Sequence, residues 1–240
     1  MMIALNNVSV RRSRSLAING VDLRIPNGVW FGVIGANGSG KTTLLRAIAG
    51  RLPFAGGTCR FGDEDVSNNR VARATLCGFA PPIERLPEAL RARDLLSLVA
   101  GTTEAALNRM GPLQEALGLA PLLSVRIGAC SAGMRQRLAL AAAFATQSRI
   151  VVLDEPFNWL DPVVAFDLKQ ALRTIPSSGR TLITALQDPI TLATCCEAGA
   201  VLTASKAAVM LEPEAMRHAA ASPDAFQRHL ITQLRPTGAT

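Results

Sequence analysis

The stretch Gly35-Ala36-Asn37-Gly38-Ser39-Gly40-Lys41-Thr42 decides how the chain folds, because it fits the pattern G-x-x-x-x-G-K-[ST]. The run before it, Val29 to Ile34, is nearly all apolar, which is typical of a strand buried on both faces. The residues after it, Thr42 to Ala49, have a helical pattern, and Gly50 stands where that helix would stop. A glycine-rich loop between a buried strand and a helix predicts a phosphate-binding loop in a parallel sheet.

The residue types in this loop suit a polyphosphate. Backbone N–H groups can wrap phosphate only where side chains do not block their approach, and Gly35, Gly38 and Gly40 leave that space. Lys41 is expected to reach the terminal phosphates as a point charge, and the Thr42 hydroxyl is placed to bind Mg²⁺. The candidate nucleotide-binding residues of the loop are Gly35, Ala36, Asn37, Gly38, Ser39, Gly40, Lys41, Thr42 and Thr43.

A second apolar run, Ile150 to Leu153, ends abruptly in Asp154 and Glu155. Ligands bind at the carboxyl ends of parallel strands, so Asp154 is a candidate Mg²⁺ ligand, directly or through water. Adjacent residues of a strand point to opposite sides, so the two carboxylates can have different tasks. We assign Glu155 as the catalytic base that orients and activates an attacking water.

The composition of the 240-residue chain supports a folded protein and excludes several functions. Apolar residues make up 49%, which excludes disorder as the main state. Aromatic residues make up only 4%, with no Tyr, which argues against a platform that stacks single-stranded bases. Five cysteines without a C-x-x-C pair argue against a disulfide framework and a zinc site. The net charge of +7, carried by Arg, leaves nucleic acid, anionic lipid and nucleotide phosphates open as partners.

Strand patterns alternate with helical patterns along most of the chain, which indicates a parallel sheet wrapped by helices. The final helix carries Phe226, Leu230 and Leu234 in one stripe, which we expect to dock on the parent domain. Asp161 is a candidate N-cap for a helix that starts at Pro162. The other predicted strands are 3–10, 21–25, 58–61 (as an edge strand) and 181–186, and the other predicted helices are 89–123 with breaks, 135–146, 162–172 and 223–234.

Two further motifs narrow the class of protein. Cys130-Ser131-Ala132-Gly133-Met134-Arg135-Gln136-Arg137 is similar to L-S-G-G-Q-x-Q-R, the signature of the ATP-binding cassette (ABC) ATPases, and it lies just ahead of the acidic strand. Asn158-Trp159-Leu160-Asp161-Pro162 resembles the D-loop of the same family. Over about residues 2–210, the sequence resembles in order the nucleotide-binding subunit of an ABC transporter.

The resemblance implies an α/β fold: a P-loop NTPase core with a parallel sheet, a small antiparallel β region and a helical subdomain. We expect residues 1–240 to form a single ABC ATPase domain. The helical subdomain is expected at about 80–128, and a C-terminal tail helix within about 211–240.

The resemblance also implies ATP and Mg²⁺ as cofactors, and ATP hydrolysis that powers a membrane transporter. Two cassettes would close head to tail over two ATP molecules, and Ser131, Gly133 and Asp161 are carried over as residues that reach nucleotide. Ser131 can cap a helix whose first N–H groups attract an anion. The partners implied are an integral membrane permease subunit and a second cassette, the same or different, and no nucleic acid is expected. No apolar stretch is long enough to span a membrane and no signal peptide is visible, so we expect any membrane role to come through a partner. The location that the resemblance implies is cytoplasmic, peripheral on the inner face of the cell membrane.

Several landmarks of the family are replaced. No aromatic residue lies near Arg11 or Arg12, where the family stacks one on adenine, although a guanidinium could stack there. Pro82 stands in place of the Q-loop glutamine, and Gln187 in place of the switch histidine. Gln187, our second candidate catalytic residue, can hydrogen-bond a γ-phosphate but cannot titrate near neutral pH. We therefore expect a slow or asymmetric ATPase; the alternatives are a soluble regulatory or nucleic-acid-associated cassette ATPase, and an ATP-binding module that hydrolyses nothing.

Overall fold

Two β-sheets form the frame of the molecule. The structure is a computed structural model in which residues 1–203 and 207–234 are described. The larger sheet has the strand order β10-β9-β3-β8-β7-β6, and its strands are parallel except for β10. The smaller sheet has the order β2-β1-β4-β5 and is antiparallel throughout. The strands are β1 Ile3–Arg12, β2 Ser15–Ile25, β3 Trp30–Gly35, β4 Gly56–Phe61, β5 Glu64–Asp65, β6 Cys77–Phe79, β7 Ile150–Asp154, β8 Thr181–Leu186, β9 Ala198–Leu202 and β10 Ala208–Leu211.

The expected α/β class, with a parallel core and a small antiparallel region, is confirmed. Every residue of β3 is buried, as its apolar run predicted, and every residue of β8 is buried as well. β3 lies between β8 and β9, and β7 lies on the other side of β8. Because these strands are parallel, their carboxyl ends meet at one edge of the sheet. That edge carries the glycine-rich loop after β3, the acidic turn after β7 and Gln187 after β8.

Helices cover the sheets and fill the chain between β6 and β7. α6 is buried along most of its length because its Ala and Leu side chains join the same hydrophobic core as β7. The helices are α1 Lys41–Ile48, α2 Arg70–Leu76, α3 Ala92–Ala100, α4 Thr103–Met110, α5 Leu113–Ala116, α6 Ala132–Phe144, α7 Pro162–Arg173, α8 Pro189–Cys195, α9 Pro213–Ala221 and α10 Pro223–Leu234. Short 3₁₀ turns cover Ile83–Arg85, Ala120–Leu122, Ile127–Ala129 and Pro176–Ser178.

None of the helices within residues 1–203 and 207–234 combines the length and the apolar character that crossing a membrane requires.

Some elements differ from the sequence expectations. The strand at 58–61 is not an edge, because the two-residue strand β5 pairs with it. The C-terminal region holds α9 as well as α10, and the last part of the expected tail, 235–240, lies outside the described residues. The stripe on α10 does dock: Leu230 is buried, and Phe226 and Leu234 pack against the main core.

A buried arginine braces the far end of α1. Arg73 is fully buried, and burial lowers the pKa of its guanidinium. The guanidinium donates to the carbonyls of Ala47 at 3.0 Å, Leu52 at 3.3 Å and Ser67 at 2.6 Å. It also lies 4.2 Å from the centroid of the Phe54 ring. One side chain thus joins the last turn of α1 to the chain segments on either side of β4.

We expect Arg73→Met to lower the free energy of unfolding by about 3 kcal/mol, because it removes several hydrogen bonds of a buried charged group at once. Arg70→Met is the matched control: Arg70 is exposed on the same helix, with contacts of 3.4 Å to the carbonyls of Gly50 and Arg51. The control should cost less than about 1 kcal/mol. Urea unfolding of the three proteins measures the difference, and equal losses would remove the bracing role.

Candidate functional site

The glycine-rich loop turns directly from β3 into α1. Gly40 is the N-cap of α1 with φ of 103°; no side chain makes a capping hydrogen bond there, and no acidic residue lies in the first turn. A Cβ on Gly40 would lie 2.6 Å from the carbonyl oxygen of Ala17, so the loop packs closely on β2. The first-turn N–H groups of α1 therefore face the loop without a side-chain cap, which makes them available to an anion.

Lys41 is held inside the loop. Only 5% of its surface is exposed, and its Nζ donates to the carbonyls of Gly35 at 2.8 Å and Ala36 at 3.3 Å. Burial lowers the pKa of the ammonium, while the nearby carboxylates of Glu155 and Asp154 oppose that shift. The carbonyls fix the position of the charge at the mouth of the loop.

Ser39 has a buried hydroxyl without a protein partner. Its side-chain oxygen makes no hydrogen bond within the described part of the chain. A Cβ on Gly35 would lie 2.7 Å from this oxygen, so the glycine is needed for the hydroxyl to sit there. Buried polar atoms are nearly always paired, so this hydroxyl indicates a place for a polar ligand atom or a water.

Thr42 and Asp154 meet between α1 and β7. The Thr42 hydroxyl donates to Asp154 Oδ1 at 3.0 Å. Burial raises the pKa of the Asp154 carboxyl, and the bond from Thr42 partly opposes the shift. A hydroxyl and a carboxylate are hard oxygen donors, and Mg²⁺ characteristically takes one or two such protein ligands together with phosphate oxygens and waters. The pair therefore fits Mg²⁺.

Glu155 begins the turn after β7 with φ of 49°. Its N–H donates to the carbonyl of Ala185 at 3.1 Å, which ties the turn to β8. Its Oε2 accepts a hydrogen bond of 2.6 Å from Asn158 Nδ2. Glu155 and Lys41 line the same open cavity, of about 480 Å³.

Part of the lining of this cavity comes from the hairpin between β1 and β2. Arg12, Ser13, Ser15 and Ala17 line it, and no aromatic side chain does among the described residues. Arg11 is not among the described residues that line this cavity, and its guanidinium donates to the carbonyl of Arg14 at 3.4 Å. The structure thus separates the two arginines that the sequence left as alternatives, and Arg12 is the one at the cavity.

Gln187 and Pro82 fall in different places. Gln187 is exposed and lines a smaller cavity of about 110 Å³ that it shares with Glu155 and Phe157. Pro82 lines a groove of about 1160 Å³, where Leu95 also lies. The groove runs between the edge of the larger sheet and the helical insert, which is the helical chain between β6 and β7. Gln187 is therefore a neighbour of the acidic turn, whereas Pro82 belongs to another surface.

The signature and D-loop residues gather around a third cavity, of about 360 Å³, which Ser131, Gly133 and Asp161 line. The Ser131 hydroxyl caps α6 by accepting from Met134 N at 3.2 Å. Asp161 caps α7, as predicted, by accepting from two N–H groups of its first turn at 3.0 and 3.1 Å. These three residues thus lie together but do not line the cavity that holds Lys41.

Sequence reasoning missed two residues that hold the acidic turn. Gln136 is buried on α6 and donates from Nε2 to the carbonyl of Pro156 at 3.1 Å. The available signal was an amide within the otherwise apolar buried face of a long Ala/Leu helix. The sequence placed Asn158 in the D-loop, but no sequence pattern indicated its hydrogen bond to Glu155.

Comparison with known proteins gives a consistent result. The Nod factor export ATP-binding protein I of Burkholderia orbicola (strain AU 1054) is 31% identical over 186 residues, which are 75% of this chain and 61% of that protein. The sulfate/thiosulfate import ATP-binding protein CysA of Vibrio cholerae serotype O1 is 35% identical over 184 residues, which are 73% of this chain and 48% of that protein. The chain thus spans about half to three-fifths of the length of these relatives.

Solved structures and a family model agree with this. A structure described as the ATP binding subunit of an ABC transporter superimposes with a TM-score of 0.82 at 20% identity, covering 98% of this chain and 100% of that one, which shows the shared fold. The family model described as ABC transporter matches residues 18–158, which include the phosphate loop, the signature segment and the acidic turn. The chain therefore belongs to the ABC transporter family.

Proposed function

We propose that this chain binds and hydrolyses ATP as the nucleotide-binding subunit of a membrane transporter. One observation carries the proposal: the buried ammonium of Lys41, the Thr42–Asp154 pair and the Glu155 carboxylate converge at one edge of the sheet. A cation, a pair of hard oxygen ligands and a base candidate beside an uncapped helix N-terminus form a set suited to phosphoryl transfer to water.

The phosphates of ATP would lie on the loop 35–43. The N–H groups at the start of α1 would donate to phosphate oxygens, and Lys41 would pair with the terminal phosphates. The buried Ser39 hydroxyl makes no hydrogen bond within the described residues, which supports the binding of a polar ligand atom at the loop. Arg12 would face the base or ribose, because it lines the same cavity as the loop but belongs to the neighbouring hairpin.

Thr42 and Asp154 would hold Mg²⁺ beside the terminal phosphates. When bound, the ion supplies positive charge that neutralises phosphate oxygens as negative charge develops on them. The hydrogen bond between the two side chains supports this assignment, since it holds both oxygens close enough to bind the same ion. Asp154 must be ionised to serve as a ligand, so the raised pKa of its carboxyl makes the metal site weaken as the pH falls.

Glu155 would accept the proton of the attacking water, and Gln187 would hydrogen-bond the γ-phosphate or that water. Both residues line the small cavity next to the acidic turn, which supports their joint assignment. Because an amide cannot take up a proton, Gln187 can orient groups but cannot share the proton transfer. We therefore propose turnover slower than a histidine at this position would allow, or unequal sites in a pair with a different cassette.

A second cassette, of the same or a different kind, would complete the site. Ser131, Gly133 and Asp161 lie around a cavity that does not include Lys41, so they can meet a nucleotide bound by another subunit. Trp159 at the rim of that cavity is 69% exposed. The two chains would close head to tail over ATP and reopen after hydrolysis. This conformational change would supply the mechanical stroke for transport.

A permease subunit in the membrane would receive the stroke through the helical insert, at about residues 80–128 of a single cassette domain. The groove of about 1160 Å³ supports this, because it lies between the insert and the sheet edge and mixes apolar side chains with arginines. The location would be cytoplasmic and peripheral on the inner face of the membrane. The relatives are named for export and for import, so they assign no cargo to this chain.

Lys41→Ala should weaken binding of MgATP by at least about tenfold, because it removes the buried charge that faces the phosphates. Arg24→Ala is the control, since Arg24 is an exposed cation on β2 that does not line the cavity. Isothermal calorimetry of the purified chains measures both affinities. Unchanged affinity in Lys41→Ala would contradict the assignment of the loop.

Glu155→Gln should retain ATP affinity and reduce phosphate release by about a hundredfold or more, since an amide cannot accept the proton. The variant should also accumulate as an ATP-dependent dimer, which light scattering detects. Glu64→Gln, an exposed change on β5, serves as the control. Normal turnover in Glu155→Gln would refute the base assignment.

Gln187→His should raise the rate of phosphate release by several-fold, because the imidazole can both hydrogen-bond the γ-phosphate and exchange a proton near neutral pH. The rate should gain a pH dependence near the pKa of histidine that the wild type lacks. A brisk wild-type rate that the substitution leaves unchanged would count against slow turnover. Absence of phosphate release from every assembled form would instead favour a binding module without hydrolysis.

A further inference from the structure

The turn after β7, residues 155–159, is strained at both ends. Glu155 has φ of 49° and Trp159 has φ of 66°, although neither residue is glycine. Side chains with a Cβ rarely adopt this left-handed conformation, and a bulky residue such as Trp does so least often. Such conformations persist only where the surrounding contacts fix them, and they cluster at functional sites.

Contacts from two directions hold the turn. On one side, Glu155 N donates to the carbonyl of Ala185 on β8 at 3.1 Å. On the other, Gln136 of α6 donates to the carbonyl of Pro156 at 3.1 Å. A Cβ on Gly133 would lie 2.6 Å from the Trp159 carbonyl oxygen, so α6 also approaches the far end of the turn closely. The backbone of the turn is therefore fixed between β8 of the larger sheet and α6.

Within this fixed turn, one hydrogen bond controls a carboxylate. Asn158 Nδ2 donates to Glu155 Oε2 at 2.6 Å, a short bond of the charge-assisted kind. Glu side chains otherwise have several rotamers to choose from, and ordering one of them costs entropy. The bond selects one orientation and uses one carboxylate oxygen, so the second oxygen can accept from a water.

We infer that Asn158 is a positioning residue for hydrolysis: its amide fixes the Glu155 carboxylate and so ties the proposed base to the turn that presents Trp159. This inference rests on the proposed function, in which Glu155 is the base. Asn158 need not touch the substrate, because its effect passes through Glu155. A purely structural bond would change the stability of the turn without changing the chemical rate.

The test is single-turnover phosphate release by the full chain, with affinity for MgATP measured in parallel. Asn158→Ala removes the donor, and Asn158→Asp keeps the shape while placing a second carboxylate beside Glu155. We expect each to lower the hydrolysis rate constant about tenfold, the effect of one charge-assisted hydrogen bond, with MgATP affinity within about twofold of wild type. Asn158→Ser, which retains a shorter donor, should recover part of the rate.

Two controls separate positioning from misfolding. Asn108→Asp adds the same charge at an exposed position on α4, and it should leave the rate unchanged. Adding Asn158→Ala to Glu155→Gln should cause no further loss, because Asn158 would act only through the missing carboxylate. Melting temperatures of all variants show whether the fold is intact.

The outcomes are distinguishable. Wild-type rates in Asn158→Ala and Asn158→Asp, with Glu155→Gln inactive, would overturn the role of Asn158 and keep Glu155 as base. A rise in rate on losing the donor, or a further loss in the double variant, would also overturn it. If Glu155→Gln hydrolyses ATP like the wild type, or if no form releases phosphate, the proposed function itself fails and the role of Asn158 falls with it.

Discussion

The buried ammonium of Lys41 is the constraint on which the site depends. A charge that is almost fully removed from water is costly unless polar groups surround it. Here the Gly35 and Ala36 carbonyls supply two acceptors, and the carboxylates of Asp154 and Glu155 supply compensating charge. Those carboxylates reach the ammonium only because β7 ends at the same edge of the sheet as β3. The parallel sheet therefore has two effects. It brings the carboxylates that compensate the buried Lys41 charge, and it gathers the side chains of the site at one edge.

α1 is arranged for opposite charges at its two ends. Its N-terminus lacks a side-chain cap and opens into the cavity, where the positive end of the helix dipole favours an anion. Near its C-terminus the buried guanidinium of Arg73 donates to the Ala47 carbonyl, where the dipole favours a cation. The same brace fixes the helix against the small sheet, so the loop at the other end starts from a fixed position. The placement of the proposed phosphate site is thus linked to a residue at the opposite end of the helix.

The parts of this structure that the sequence predicts are those governed by local chemistry. The glycine loop, the apolar strands β3, β7 and β8, and the caps at Ser131 and Asp161 each follow from residues within a few positions of one another. The strand β9 escaped prediction because an Ala/Gly/Val segment becomes a strand only through pairing with β3. The choice of Arg12 over Arg11 depends on side-chain direction in a hairpin with irregular register, which a sequence pattern does not encode. The Asn158–Glu155 bond depends in the same way on how the turn after β7 brings the two side chains together.

The replaced landmarks have unequal consequences once their positions are known. Pro82 lines the groove beside the helical insert, so under the proposed function its replacement would bear first on contact with a partner and less directly on the phosphates. Gln187 shares a cavity with Glu155, so its replacement would bear on the proposed chemical step. An amide keeps both a donor and an acceptor at that point but removes a group that titrates near neutral pH. Under the proposed function, proton transfer would then fall on Glu155 alone, and the contacts that orient this one carboxylate would matter more than they would beside a histidine.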